Sequence, residues 1–98
     1  MTDKVYSLAK LFDGTGAKPI RTHRDTVSGI CTDSRRVHEN DLFLCVRGLR
    51  HDGHTYAAEA ACGGASVVLA ERSDLALPDE CDLWVCPDAR LAEAVVYD

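Results

Sequence analysis

The chain has 98 residues, 46% of them hydrophobic and 28% charged, with a net charge of −5, the composition of one small globular domain and not of a disordered segment. No apolar run approaches the ~20 residues needed to cross a bilayer. The acidic balance argues against general nucleic-acid binding, which depends on neutralising phosphates.

In chain order, Ser7 followed by Leu8, Leu11 and Phe12 predicts a short capped helix with an apolar stripe, and Tyr6 and Leu11 occupy the staple positions. Asp13-Gly14-Thr15-Gly16 ends it, and residues 13–25 read as loop, with Pro19 discouraging helix. Gly14 and Gly16 make no dinucleotide fingerprint, since no strand precedes them and no helix pattern follows. Val27 to Thr32 reads as a strand, and the near-continuous apolar run Leu42 to Val46 as a strand covered on both faces. Thr55 to Cys62 is an alanine-rich helix with Tyr56 and Ala60 on one face, stopped by Gly63-Gly64, and Ser66 to Ala70 is another buried strand. Strand, helix and strand over about thirty residues predict a right-handed parallel βαβ unit. Residues 71–82 form an acidic loop with Pro78, Leu83 to Cys86 a last strand, and Asp88 caps a helix through Leu91, Ala92, Val95 and Val96. The expected fold class is α/β: a small domain with a mainly parallel sheet flanked by helices, containing one clear βαβ unit. The last helical pattern is still running at Asp98, which fits a boundary within a longer protein at least as well as a natural terminus.

Five cysteines without a Cys-x-x-Cys pair suit a reducing compartment better than a disulfide framework. Cys31, Cys45 and Cys62 fall in apolar or small-residue stretches, where a thiol acts as a small hydrophobe. Met1-Thr2-Asp3-Lys4 carries no secretory pattern, so the expected location is the cytoplasm. Charge is unevenly spread. Residues 1–54 carry nine Lys/Arg against seven Asp/Glu, whereas residues 55–98 carry two against nine. The less acidic half contains the polar turns, as a site for a small anionic ligand would require, although an acidic solvated second half explains the same split.

Two polar turns bracket the strand at 42–46: Thr32-Asp33-Ser34-Arg35 before it, and Gly48-Leu49-Arg50-His51-Asp52-Gly53 with His54 after it. Turns joined by one buried strand can face the same sheet edge, where α/β folds hold ligands. The residue types leave two readings open. Asp33 and Ser34 are turn formers, and Arg35 and Arg36 suit a surface. Equally, Ser34 offers a donor-acceptor and Arg35 a bidentate fork for an anion. His51 and His54 lack the spacing and supporting ligands of a metal site and are expected to be solvated or to contact substrate. No Ser-His-Asp or Cys-His arrangement can be argued from spacing, so no catalytic residue is assigned.

The ordered pattern Gly29-Ile30-x-x-Asp33-Ser34-Arg35-x-Val37, Asp41-Leu42-Phe43, Gly48-x-x-x-Asp52-Gly53-His54 and Ala60-x-x-x-Gly64-Ala65-x-x-Val68 resembles the N-terminal domain of the Mur ligases. These enzymes build the peptide stem of bacterial peptidoglycan. The resemblance is closest to the MurE type, the UDP-N-acetylmuramoyl-tripeptide synthetases, with the MurF type next; Asp88-Ala89-Arg90-Leu91 tilts it toward MurE. It covers roughly residues 27–70 and, more weakly, the helix at 7–12 and Val85-x-x-Asp88-Ala89-Arg90-Leu91. Asn40 stands where the family usually has glycine before Asp-Leu-Phe, and asparagine tolerates the left-handed backbone such a turn needs.

The resemblance implies that residues 1–98 form a single domain holding the UDP end of UDP-N-acetylmuramoyl-L-alanyl-D-glutamate. Thr32 and Ser34 match uridine contacts, and Leu49, Arg50 and His51 match the segment that also meets the nucleotide, while Arg35 orients the turn or touches ligand. It further implies a full-length ATP-dependent amide ligase using Mg²⁺, whose central and C-terminal domains are this domain's partners. No G-x-x-x-x-G-K-[ST] loop occurs in these residues, so the fragment is expected to bind without catalysing and to hold no cofactor or metal of its own. A MurF-type domain and a free-standing non-catalytic binding module are the alternatives.

Overall fold

Apolar runs at 42–44, 67–70 and 83–85 form the middle of a five-stranded sheet in the computed structural model, which describes residues 6–45 and 53–88. The elements are β1 (Tyr6–Ser7), α1 (Leu8–Leu11), β2 (Lys18–Arg21), β3 (Thr26–Val27), β4 (Gly29–Cys31), β5 (Asp41–Leu44), a 3-10 turn (Gly53–Tyr56), α2 (Ala57–Cys62), β6 (Val67–Ala70) and β7 (Asp82–Val85). The sheet order is β2-β7-β6-β5-β4, and β1 and β3 form a separate antiparallel ribbon. β4, β5, β6 and β7 are mutually parallel, with Ile30 opposite Leu42, Leu42 opposite Val67 and Val67 opposite Asp82. The expected α/β class holds, and β5, α2 and β6 are its βαβ unit.

Because side chains alternate across a strand, the sheet has two cores. Leu42, Leu44, Val67 and Leu69 point to one face and pack with Leu8, Phe12 and Val27. Phe43, Cys45, Val68 and Ala70 point to the other, where Ala57 and Ala60 of α2 lie against them. Double coverage explains why these strands read as continuous apolar runs.

Several elements depart from the expectation. Residues 13–25 are not all loop: Lys18–Arg21 is a strand, antiparallel to β7 and at the sheet edge. Pro19 is compatible with that position because an edge strand needs only half its backbone groups paired. The strand at 27–32 is divided at Ser28, with Thr26 and Val27 in the small ribbon and Gly29 to Cys31 in the main sheet. Ser7 occupies the N-cap of α1 but makes no side-chain cap hydrogen bond. Leu8 N–H instead donates to the carbonyl of Asp25 at 2.8 Å. In α2 the buried face is Ala57 and Ala60, while Tyr56 is exposed. Cys62 is exposed and Cys31 half-buried, so only Cys45 of the three cysteines first singled out behaves as a core hydrophobe; Cys81 and Cys86 are buried too, and none of the five is in a disulfide. The acidic loop ends one residue early, since Asp82 opens β7 with no exposed surface. The helix expected after Asp88 and the residue Val46 lie outside the described residues.

Two turns set the approach to the central strands. Asn40 has φ +69°, the left-handed conformation expected of it, and its Nδ2 donates to Ser28 Oγ at 2.9 Å. Gly64 has φ +124°, and a Cβ there would stand 3.0–3.2 Å from backbone atoms of His38 and Glu39. Asn40 N–H donates to the Gly64 carbonyl at 3.1 Å, fastening the entries of β5 and β6 together.

Candidate functional site

β4 and β5 run parallel, so their C-terminal ends lie on one edge of the sheet. The chain leaves β4 at Cys31 and turns at once through Thr32-Asp33-Ser34-Arg35. Asp33 N–H meets Cys31 Sγ at 3.4 Å, and Cys31 Sγ donates to the Asp33 carbonyl at 3.0 Å. Arg36 N–H closes the turn on the same carbonyl at 3.0 Å.

Within the turn, Asp33 and Arg35 are committed to one another. Asp33 Oδ1 accepts from the Arg35 backbone N–H at 2.9 Å and from its Nε at 3.3 Å, and Oδ2 accepts from Nη2 at 3.4 Å. Arg36 Nε lies 3.8 Å from Oδ2. The side-chain hydrogen bond from Arg35 holds the Asp33 carboxyl below its ordinary range, and the same bond raises the guanidinium. The backbone bond is an Asx-turn, which fixes the loop shape locally.

Opposite this turn stand Gly53 and Tyr56, at the two ends of the 3-10 turn, and Glu59 in the first turn of α2. Together the two sides enclose an open cleft of about 510 Å³, within the range of small-molecule sites. Ser34 Oγ donates across it to Glu59 Oε2 at 3.3 Å.

Thr32 and Ser34 both line this cleft, so two of the five residues matched to nucleotide contacts are together on one wall. Leu49, Arg50 and His51 lie outside the described residues, as does Asp52. Gly53, from the same turn, does reach the cleft. Neither Tyr56 nor Glu59 is expected at a site from the sequence: Tyr56 reads with Ala60 on one face of an alanine-rich helix, and Glu59 only as a position along it. Their signal is spacing: three residues apart, they share the helix face that follows the second turn.

His54 is neither solvated nor in the cleft. It is buried, and its Nε2 accepts the Glu71 backbone N–H at 2.8 Å. That bond occupies the ring nitrogen's lone pair and ties the start of α2 to the end of β6. Gly48 and Gly53 have the interval of a phosphate-binding loop with His54 in the lysine position, but this buried ring cannot serve a triphosphate. Among the described residues no group of three His, Cys, Asp or Glu is placed to hold a metal ion, and no helix is long and apolar enough to cross a membrane. The described residues thus do not fit ATP with Mg²⁺.

The family model described as "Mur ligase family, catalytic domain" matches residues 26–94. A UDP-N-acetylmuramoyl-L-alanyl-D-glutamate–2,6-diaminopimelate ligase of Syntrophomonas wolfei is 47% identical over 70 residues, which is 71% of this chain and 14% of that enzyme. A UDP-N-acetylmuramoyl-tripeptide–D-alanyl-D-alanine ligase of Bacillus subtilis is 33% identical over 69 residues, 70% of this chain and 15% of the relative. The crystal structure of MurF from Acinetobacter baumannii superposes with a TM-score of 0.82 at 27% identity, over 97% of this chain and 21% of that one. The chain therefore matches only about a seventh to a fifth of the length of these relatives, and within that span it belongs to the Mur ligase family.

Proposed function

We propose that this chain is the N-terminal substrate domain of a MurE-type ligase and that the cleft between Thr32–Arg35 and α2 receives the UDP end of UDP-N-acetylmuramoyl-L-alanyl-D-glutamate. The observation that carries the reading is the meeting of Thr32 and Ser34 with Gly53 in one cleft of small-molecule size, at the C-terminal edge of a parallel sheet. The Syntrophomonas wolfei relative carries that substrate in its name and is more similar in sequence than the Bacillus subtilis ligase of the tripeptide, which favours MurE over MurF. Leu49, Arg50 and His51 belong to the same proposed site, on the segment that leads into Gly53.

In the whole enzyme, ATP and Mg²⁺ would be held by the central domain and would supply the driving force for amide formation there. This domain's part is to hold the substrate, in concert with the central and C-terminal domains and in the cytoplasm. A free-standing binding module would use the same cleft without the reaction.

The test uses amide chemical shifts of the 98-residue chain on adding UDP-N-acetylmuramoyl-L-alanyl-D-glutamate. Shifts should concentrate at Thr32, Ser34 and residues 49–51; none at millimolar ligand would remove the cleft as the site. In the full-length ligase, Ser34→Ala should raise the substrate KM more than it lowers kcat, because the contact is uniform binding made before and during reaction. An unchanged KM would exclude Ser34.

A further inference from the structure

Tyr56 and Glu59 line the same cleft as the Asp33 turn. Glu59 lies in the first turn of α2 with its carboxylate reaching Ser34 Oγ at 3.3 Å. A carboxylate only accepts, so the Ser34 hydroxyl hydrogen is directed to Glu59, and Ser34 presents lone pairs to the cleft. The Ser34–Glu59 pair is therefore a wall of acceptors. It suits a ligand group that donates.

Charge narrows the choice of group. Asp33 is paired with Arg35 and Arg36, whereas Glu59 bonds the neutral Ser34 hydroxyl and meets Arg35 only through the electrostatics of the shared cleft. A diphosphate placed against Glu59 would be repelled, since like charges a few ångströms apart disfavour one another. The uncharged end of a nucleotide suits the Glu59 side, and the phosphates suit the Arg35 side of the cleft. A base carrying an imide N–H offers the donor that the wall lacks. Tyr56, 37% exposed and three residues before Glu59, supplies an aromatic face of the kind on which bases stack.

We infer that Glu59 is a specificity-determining residue that accepts the imide N–H of the nucleobase beside the Tyr56 ring, so that the cleft selects uracil by its donor and orients the nucleotide base-first onto α2. The inference rests on the proposed nucleotide site and adds the orientation and the base-reading residue.

The experiment titrates the chain with UDP and with N3-methyl-UDP, which lacks the imide hydrogen, following amide shifts. Methylation should weaken binding about tenfold or more, the effect of losing one hydrogen bond to a charged group. Glu59→Ala should weaken UDP about tenfold and reduce the methylation penalty to less than about threefold. Glu59→Gln, which keeps an acceptor oxygen, should retain most of that penalty. Glu59 is exposed, and spectra away from the cleft will show that each variant is folded. If Glu59→Ala binds UDP more tightly, the phosphates face α2 and the orientation is wrong. If wild type binds UDP but Glu59→Ala leaves the methylation penalty unchanged, Glu59 does not read the base and the nucleotide site stands. If wild type binds neither nucleotide at millimolar concentration, the nucleotide site itself fails.

Discussion

Asp82 has no exposed surface, yet its surroundings favour the charged form. Burial opposes ionisation, but Oδ2 accepts the backbone N–H groups of His23 at 2.7 Å and Arg24 at 3.0 Å, and Oδ1 meets His23 Nδ1 at 2.9 Å. These bonds outweigh burial and hold the carboxyl below its ordinary value of 3.8. A group that gives up its proton more readily folded than unfolded stabilises the fold fully above its unfolded value, and the contribution disappears as pH falls through the lower folded value. The urea midpoint of the wild type should therefore fall below about pH 4, and Asp82→Asn should flatten that fall. At neutral pH Asp82→Ala should cost about 2–4 kcal/mol, because it strands the donors of His23 and Arg24; a midpoint unchanged by the substitution would show that water replaces the carboxylate. None of this was legible in the sequence. Asp82 reads as the end of an acidic loop, and its partners lie 58 and 59 positions away. His54 was misread for the same reason: its typical placement is a polar turn, and only the fold reveals the Glu71 amide it receives. The position of Thr32 and Ser34 in a turn directly after a strand was legible because the Asp-Ser-Arg turn is local.

The strands that could be read are those with a run of apolar residues long enough to show coverage on both faces, Leu42–Leu44, Val67–Ala70 and Leu83–Val85. β2 could not be read, because Lys-Pro-Ile-Arg is neither apolar nor alternating and its pairing comes wholly from β7. The two-residue strands of the ribbon carry no periodicity at all. The turns were more informative than the short strands. Gly63-Gly64 ends α2, with the Ala65 N–H returning to the Ala60 carbonyl at 3.0 Å, and Asn40 adopts the backbone that its place before Asp-Leu-Phe demands. These turns differ in tolerance. Asn40→Gly should be nearly neutral, since glycine adopts φ +69° without penalty and offsets the lost bond to Ser28. Gly64→Ala should cost about 2 kcal/mol or more, because φ +124° disfavours any Cβ and the backbone of residues 38–39 blocks it. Thermal or urea unfolding of the two variants measures both; equal stability would show that the 38–40 segment moves aside.

Taken as a whole, the domain places its thiols at every depth from core to surface, and they report on its cooperativity. Cys45, Cys81 and Cys86 are buried on the two faces of the sheet, Cys31 is half-buried beneath the Asp33 turn, and Cys62 is exposed at the end of α2. Only the thiolate attacks a disulfide reagent. Burial raises the Cys81 thiol to about 11 and the Cys86 thiol above its ordinary value of 9.0, so at pH 8 both lack access and also charge. With an aromatic disulfide reagent at that pH, Cys62 should react in the first phase and Cys31 more slowly, its sulfur being engaged with the Asp33 carbonyl. The three core thiols should react only as fast as the whole sheet opens, and urea below the midpoint should speed them together, because β5, β6 and β7 share their hydrogen bonds and both cores. Raising the pH should hasten Cys81 only to the extent that it unfolds the protein. Mass spectrometry of the labelled peptides separates the five sites. Early labelling of Cys81 or Cys86 with Cys45 still protected would mean that the β2–β7 side opens on its own. The cleft, built on β4, β5 and α2, would then sit on the more rigid half of the sheet.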